Sequence, residues 1–342
     1  MLPLLVASLV PRPPFDFAHV LGYLGRSPLE PLDVVSDGTY RRAVEIGGVV
    51  LLVEVASVGS VDAPELALRV LYAEPGAVGP GAIESDVGAA RGPERAAASP
   101  RSEPAAAPDP DVAAALRLEV ARWLRIDEDP RQLAPIAEVD PIFGALLARL
   151  RGARSPIMPS PFEALVWAIL GQQINLPFAY RLKRALVERY GTRLEHDGYT
   201  YHLFPAPEAL AEADPAELRA MQLSRQKSDY VRSLAALAAG GAIDWAGLRA
   251  LPSDEAVAEL TRLRGVGRWT AEYVAMRGLG HRDVIPAADV GLKVAIGKAY
   301  GLGRQATEPE IRLLAERWGG WRSHASFCWW YSLALDRATV AP

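Results

Sequence analysis

A helical spacing of apolar residues runs from residue 112 almost to the end of the chain. Apolar side chains recur there at intervals of three and four residues, and short breaks that contain Gly, Pro or Asp separate the segments. No pair of segments after residue 112 has the features of two paired strands. The sequence therefore predicts an all-helical module over residues 114–342, which accounts for most of the chain.

Local signals mark where the helices of this module begin. Side chains suited to N-capping precede several of them: Asp111, Ser160, Ser253 and Thr307. Pro207 and Pro215 are suited to the first turn of a helix. The predicted helices are 112–125, 140–151, 161–173, 177–190, 207–213, 215–221, 225–239, 245–250, 253–263, 268–279, 289–300, 307–318 and 321–337.

The first 73 residues predict a different kind of unit. Residues 49–56 and 66–72 are short, rich in Val and Leu and bounded by Gly or Pro, which is typical of strands. Residues 17–26 have helical spacing. The apolar residues 1–10 lack a basic segment and are followed directly by Pro-Arg-Pro-Pro, so a buried first strand is favoured over a signal peptide. We expect a small α+β N-terminal domain over 1–73.

Residues 74–113 separate the two units. Of these 40 residues, 23 are Ala, Gly or Pro, and none is aromatic. Such a composition buries too little apolar surface to offset the entropy lost on ordering. We therefore predict a flexible insertion, in which the seven prolines disfavour a long helix.

Charge and cysteine content narrow the class of protein. The net charge is −4 overall, but residues 1–113 carry −7 and residues 114–342 carry +3. The helical part could thus contact phosphate, although the chain has no general basic coat. Cys328 is the only cysteine, which excludes a disulfide framework and a four-cysteine iron–sulfur cluster. We expect no transmembrane helix and a cytoplasmic location.

Gly265-Val266-Gly267 lies between two segments of helical spacing. Glycines permit a tight turn that side chains would forbid. The free N–H groups at the start of the second helix then form an anion site, for which a backbone phosphate is the natural ligand. From these residues alone, a plain helical hairpin with a glycine turn is the favoured interpretation.

Asp289 precedes a helical segment that ends near Tyr300. An Asp at this position is an ordinary N-cap. The helix dipole also keeps its carboxylate ionised, which suits a group that faces developing positive charge. Near the C-terminus, Phe327, Trp330 and Tyr331 recur at helical spacing, and either pack in the core or line a cleft.

Together these features resemble the signature of the helix-hairpin-helix/Gly-Pro-Asp DNA glycosylase superfamily. Within it the chain is most similar to DNA-3-methyladenine glycosylase II, of the alkylation-repair type. The similarity covers nearly the whole chain except 74–113. The stretches that carry it are Pro13-Pro14-Phe15-Asp16-Phe17, Leu21-Gly22-Tyr23, Ala168-Ile169-Leu170-Gly171-Gln172-Gln173-Ile174, Leu263-Arg264-Gly265-Val266-Gly267-Arg268-Trp269-Thr270-Ala271-Glu272-Tyr273, Asp289, and 321–331.

The resemblance implies a role for matching residues around the reacting bond. Asp289 would be the catalytic carboxylate. The pocket for the damaged base would be lined by four aromatic side chains: Trp269, Tyr273, Trp330 and Tyr23. For Tyr23, a place in the core remains the alternative. No cofactor is implied for catalysis.

Further positions would bind DNA. The amides of Gly265, Gly267 and Thr270 would hold a phosphate, and Gln173 would insert into the duplex gap unless it is only a polar helix end. Three main-chain carbonyls would hold a structural Na+ or K+ at the hairpin: those of Thr261, Leu263 and Val266.

The resemblance therefore implies a monofunctional glycosylase that flips alkylated purines out of double-stranded DNA and hydrolyses the N-glycosidic bond. We expect a monomer associated with the nucleoid and not with a membrane. Two alternatives stay open. One is a bifunctional glycosylase and AP lyase for oxidised bases, and the other is a non-catalytic helix-hairpin-helix protein that binds damaged DNA.

Overall fold

A computed structural model describes residues 4–75 and 108–340. Most of the predicted insertion, residues 76–107, lies outside the described residues. The described ends of that insertion belong to regular elements: a strand extends to Pro75, and a helix begins at Pro110. Residues 74–75 and 110–113, which the composition assigned to the flexible insertion, are therefore parts of regular elements.

The N-terminal unit is an antiparallel five-stranded sheet with one helix, α1 (Phe17–Leu24). The strand order is β1-β5-β4-β3-β2. Its strands are β1 (Leu4–Leu9), β2 (Val34–Ser36), β3 (Thr39–Ile46), β4 (Val49–Ser57) and β5 (Leu66–Pro75). The predicted strands at 49–56 and 66–72 are β4 and β5, and the apolar N-terminus contributes β1.

The rest of the described chain is predominantly helical, in agreement with the predicted fold class. The helices are α2 (Pro110–Leu124), α3 (Ala134–Val139), α4 (Pro141–Arg149), α5 (Pro161–Gly171), α6 (Leu176–Tyr190), α7 (Pro207–Ala211), α8 (Pro215–Ala220), α9 (Arg225–Ala239), α10 (Trp245–Ala250), α11 (Ser253–Thr261), α12 (Arg268–Val274), α13 (Val290–Ala299), α14 (Glu308–Ala315) and α15 (Arg322–Val340). A π-helical turn, Ala275–Leu279, continues α12. Among the described residues, no helix is both long and apolar enough to span a membrane.

One hairpin contradicts the expectation that no strands follow residue 112. Strands β6 (Arg193–His196) and β7 (Tyr199–His202) pair around Asp197 and Gly198, both with positive φ. This backbone geometry matches the twist of a tight two-residue hairpin. Leu194 and Tyr201 are buried and pack with the outer residues of the five-stranded sheet, including Leu52. The hairpin thus covers the face of the sheet that points away from the main core.

Two of the expected N-caps were wrong. Asp109, not Asp111, caps α2 by accepting a hydrogen bond from the Asp111 amide, and Ser253 is the first residue of α11 and does not cap it. Ser160 and Thr307 are N-caps as predicted, and Thr307 forms a capping box with the side chain of residue 310. The errors are shifts of one or two residues at helix ends, where local signals overlap.

A cluster of buried charges joins the sheet to the helical module. Arg42 on β3 donates to Asp33 at 2.6 Å and pairs with Glu163 on α5. Lys183 on α6 donates to Glu30 at 2.8 Å and to Glu163 at 3.2 Å. Lys183 and Glu163 are almost completely buried, with 2% and 1% of the side chain exposed. The two units are therefore held together by ion pairs as well as by apolar contacts.

Candidate active site

Asp289 caps the N-terminus of α13. Its φ and ψ of −64° and 130° are extended, and its Oδ1 accepts a hydrogen bond from the Leu292 amide at 3.0 Å. Among the described residues, no Lys, Arg or His nitrogen lies within ion-pair distance of the carboxylate. The charge of the half-buried Asp289 is therefore not neutralised by a neighbouring cation.

Two tryptophans donate hydrogen bonds to the same carboxylate. Trp330 Nε1 on α15 donates to Oδ1 of Asp289 at 2.8 Å, and Trp269 Nε1 on α12 donates to Oδ2 at 3.2 Å. The two rings are partly buried and approach Asp289 from different helices. Sequence reasoning placed both tryptophans near Asp289, but did not anticipate that their N–H groups bind it.

Aromatic rings continue inward from the two tryptophans. Tyr273 lies between them, with ring centroids 5.7 Å from Trp269 and 5.9 Å from Trp330. Burial raises the pKa of Tyr273 to about 12. Tyr23 on α1 is 5% exposed and packs edge-on against Phe327 and Tyr331 of α15. The structure thus places the four residues of the implied base pocket in two adjoining aromatic groups.

Two guanidinium groups flank Tyr23, and sequence reasoning missed both. The Arg26 Cζ lies 3.9 Å from the centroid of the Tyr23 ring, and the Arg277 Cζ lies 5.0 Å from it. Arg26 also donates to the Tyr23 carbonyl at 2.5 Å. The three-residue spacing of Tyr23 and Arg26 at the end of α1 was an available signal. Because these cations already contact Tyr23, its ring is less free than the two tryptophan rings to bind a charged base.

The glycine hairpin lies between α11 and α12. Gly265 has a φ of +89°, and a Cβ there would lie 2.5 Å from the Tyr230 ring, so both backbone and packing require glycine. Gly267 is different, since its φ is −82° and a Cβ would meet no atom within 4 Å. The described protein residues do not themselves require glycine at 267.

The amide groups of the implied phosphate site lie at the start of α12. Gly267 is the N-cap and Thr270 is in the first turn, where amides have no partner within the helix. Gln172, which sequence reasoning did not single out, links this turn to the end of α5. Its Nε2 donates to the Gly265 carbonyl and to Thr270 Oγ1, both at 3.1 Å.

Gln173 lies in the loop between α5 and α6, and its side chain is exposed. Its φ of +55° is in the left-handed region, which is uncommon for a residue with a side chain. Lys227 Nζ donates to the Leu170 carbonyl at 2.7 Å, and burial lowers the pKa of this lysine. The hydrogen bonds of Gln172 and Lys227 therefore fix the end of α5, from which the loop with the exposed Gln173 begins.

The carbonyls of the implied cation site belong to the hairpin turn. Thr261 ends α11, and the Val266 amide donates to the Leu263 carbonyl at 3.0 Å. A carbonyl oxygen has two lone pairs, so this bond leaves one for a further ligand.

A hairpin followed by a capping aspartate and an aromatic cluster is the arrangement of a class of DNA repair proteins. Residues 166–320 match the family described as "HhH-GPD superfamily base excision DNA repair protein". The fold agrees with a solved structure, the 3-methyladenine DNA-glycosylase from Archaeoglobus fulgidus. The TM-score is 0.75 at 23% identity, and the match covers 98% of this chain and 100% of that one.

Sequence similarity identifies the family within this class of DNA repair proteins. The chain is 36% identical over 211 residues to a DNA-3-methyladenine glycosylase of Bacillus subtilis, covering 62% of this chain and 70% of the relative. It is 29% identical to DNA-3-methyladenine glycosylase 2 of Escherichia coli, over 94% of this chain and 95% of that protein. The chain belongs to the DNA-3-methyladenine glycosylase family.

Proposed function

We propose that this protein is a monofunctional DNA glycosylase that excises alkylated purines from duplex DNA in base excision repair. The observation that carries the proposal is the Asp289 carboxylate. It is unpaired with any cation of the described residues and is held at a helix N-terminus by two aromatic side chains. A protein that only bound damaged DNA would gain nothing from a negative charge directed at a phosphate backbone.

The chemistry follows from the position of that charge. When the bond between C1′ and the base nitrogen breaks, both electrons leave with the base, and positive charge develops on the sugar. A fixed carboxylate stabilises this charge, and such electrostatic stabilisation is usually the largest catalytic contribution. A water molecule then attacks C1′, and Asp289 is the group that can accept its proton. An alkylated purine is already cationic, so it leaves readily.

The aromatic side chains around Asp289 would favour binding of a damaged base. Extruding a nucleotide from the duplex costs a few kcal/mol, and less where the base is damaged and stacks poorly. A cationic base over the rings of Trp269 and Trp330 would gain about 1–2 kcal/mol of cation–π attraction when desolvated. Tyr23 contributes less to this attraction, because Arg26 and Arg277 already contact its ring.

Contacts to the DNA backbone are assigned to the hairpin. The open space around Gly267 is consistent with the close approach of a phosphate, for which the amides of Gly265, Gly267 and Thr270 would be donors. The carbonyls of Thr261, Leu263 and Val266 would hold Na+ or K+ at this turn. If the ion is bound, we expect the protein to bind abasic duplex DNA more tightly in K+ or Na+ than in tetramethylammonium of equal ionic strength.

The deciding experiment is base release from alkylated duplex DNA. Duplexes that each contain one 3-methyladenine, 7-methylguanine, hypoxanthine or 8-oxoguanine are incubated with excess protein, and the released bases are identified by mass. We expect release of the alkylated purines and of hypoxanthine, and none of 8-oxoguanine. Release of 8-oxoguanine alone, or binding without release, would favour one of the two alternative functions.

Gln173→Ala tests insertion into the duplex. We expect weaker binding of duplex DNA with a flipped nucleotide and nearly unchanged base release from single strands, because a gap-filling side chain matters only where a stack is held open. Gln222→Ala is the matched control, since Gln222 is also an exposed glutamine with positive φ, 72° against 55°. An equal loss on single-stranded substrate would make Gln173 structural.

The reaction type is tested with borohydride. Members with lyase activity form a Schiff base between a lysine amine and the sugar, and Trp269 occupies the matching position here. We therefore expect that borohydride traps no covalent protein–DNA adduct and that an intact abasic site remains. Lys293, one turn after Asp289, is the residue to exclude with Lys293→Met. An adduct that this substitution abolished would contradict the monofunctional assignment.

A further inference from the structure

We propose that Trp269 and Trp330 are positioning residues for Asp289. Their indole N–H groups fix the orientation of the carboxylate without cancelling its charge. This role is separate from stacking on the base. It rests on the proposed function, because it takes Asp289 as the catalytic group.

The three donors to Asp289 leave its carboxylate little freedom to rotate. Oδ1 accepts from the Leu292 amide and from Trp330, and Oδ2 accepts from Trp269. One donor belongs to α13, one to α15 and one to the helix after the hairpin. The carboxylate is therefore anchored to three elements of the fold, and rotation about its side-chain bonds would break at least one hydrogen bond.

The chemical nature of the donors is as important as their number. An indole N–H is a neutral donor that has no acceptor function and does not ionise at ordinary pH. Hydrogen bonds to an ionised acceptor are among the stronger ones in proteins. A lysine or arginine at the same distance would neutralise the charge that the sugar cation requires. Two indoles give the carboxylate a fixed direction and leave its full negative charge in place.

Asp289 and Trp330 leave little space beside Gly291. A Cβ at this position would lie 3.0 Å from Asp289 Oδ1 and 3.2 Å from Trp330 Cδ1. Its backbone is helical, so these contacts, and not the backbone conformation, disfavour a side chain at this position. A methyl group at 291 would fit only if the carboxylate or the indole moved by a few tenths of an ångström.

Trp→Phe substitutions separate the two roles, because they keep an aromatic ring and remove the donor. At enzyme excess, we expect Trp330→Phe to lower the rate of hypoxanthine release about 10-fold, the scale of one hydrogen bond to a charged group. Trp269→Phe, which removes a longer bond, should lower it about 3-fold. A neutral substrate is chosen because loss of cation–π attraction does not contribute.

Trp329→Phe is the matched control. Trp329 precedes Trp330 on α15, is 3% exposed, and its buried Nε1 has no hydrogen-bond partner among the described residues. Its ring packs against Phe143 and Trp318 and not on Asp289. Trp329→Phe should therefore leave the rate within about twofold of the wild type. Gly291→Ala, which keeps both indoles, should lower the rate while the melting temperature does not fall.

A double-mutant cycle distinguishes positioning from stacking or packing. In an Asp289→Asn background there is no charge to orient, so Trp330→Phe should have almost no further effect. A second readout is independent of turnover. Trp330→Phe should weaken binding of a duplex containing a cationic pyrrolidine abasic analogue and leave binding of the neutral tetrahydrofuran analogue unchanged.

The outcomes separate this inference from the proposed function. If Asp289→Asn excises normally, the proposed catalytic group is overturned, and this inference fails with it. If Asp289→Asn is inactive but Trp330→Phe behaves like Trp329→Phe, only the positioning role is overturned. The same holds if Trp330→Phe lowers the rate equally in both backgrounds, or weakens binding of both abasic analogues equally.

Discussion

Replacing Asp289 by asparagine is expected to lower the single-turnover rate of base excision by about 100-fold or more, the scale of losing one preorganised electrostatic group. Asparagine has the same size, and its side-chain oxygen can still accept from the Leu292 amide that Asp289 binds at 3.0 Å. The helix cap is therefore kept, while the charge is lost together with the acceptor for Trp269 Nε1, because an amide nitrogen cannot accept a hydrogen bond. The measurement is the rate of base release at enzyme excess, with melting temperature and abasic-duplex binding recorded for the same preparation.

Asp214→Asn is the matched control for this substitution. Asp214 caps α8 by accepting from the Ala216 amide at 2.7 Å, so it too is an aspartate whose side chain caps a helix. We expect Asp214→Asn to leave both the rate and the melting temperature nearly unchanged. Near-normal excision by Asp289→Asn would make Asp289 an ordinary cap as well, and another catalytic group would have to be identified.

Much of the helical module could be predicted because each helix carries its own local signals. The bounds 225–239 and 245–250 are the same in the prediction and in the structure. In both, an N-cap side chain directly precedes the first helical residue: Ser224 accepts from Lys227, and Asp244 accepts from Gly247. Such signals depend on residues within one turn, and the rest of the fold does not override them.

The β6–β7 hairpin could not be predicted from apolar periodicity. Its strands have four residues each, too few for a clear alternation of apolar and polar residues. They are stabilised by Leu194 and Tyr201, which pack on a five-stranded sheet that is distant in the sequence. The one local signal was Asp197-Gly198, a dipeptide strongly favoured in tight hairpins. Short strands are determined largely by such tertiary contacts.

The members of the candidate site could be named from the resemblance, but their mutual contacts could not. Trp269 and Trp330 lie 20 and 41 residues from Asp289, and nothing local specifies which edge of an indole faces a carboxylate. Arg26 was missed because arginines usually lie on the surface. Arg277, on the π-helical turn, is far from Tyr23 in the sequence, so only the packing of the fold makes it a neighbour of that ring.

Lys183→Met is expected to destabilise the folded state by about 3–5 kcal/mol, the range for removing one partner of a buried ion pair. The substitution leaves Glu30 and Glu163 buried without the cation that joins them, because Lys183 donates to both. Arg42 then remains as the only strong cationic partner of Glu163 in this cluster. The measurement is the free energy of unfolding in urea at pH 7, with base release measured under native conditions.

The contribution of Lys183 to the free energy of unfolding should change with pH in one direction. Burial alone would lower the pKa of Lys183, but Glu30 and Glu163 raise it above its ordinary value. The folded state therefore holds this proton more tightly than the unfolded state does. The resulting stability is present in full at neutral pH and is lost only as the pH rises through the raised pKa. Wild type and Lys183→Met should thus differ less in strongly alkaline solution.

Lys298→Met is the control that separates burial from charge. Lys298 donates to Asp336 at 2.7 Å, but its side chain is 69% exposed, so water and salt screen the pair. Exposed pairs contribute about 0–1 kcal/mol, and we expect a change in that range. Glu30→Gln added to Lys183→Met should recover part of the lost stability, because it removes one of the two uncompensated carboxylates. If Lys183→Met destabilised no more than Lys298→Met, the cluster would not hold the sheet to the helical module, and apolar packing at that interface would account for its stability.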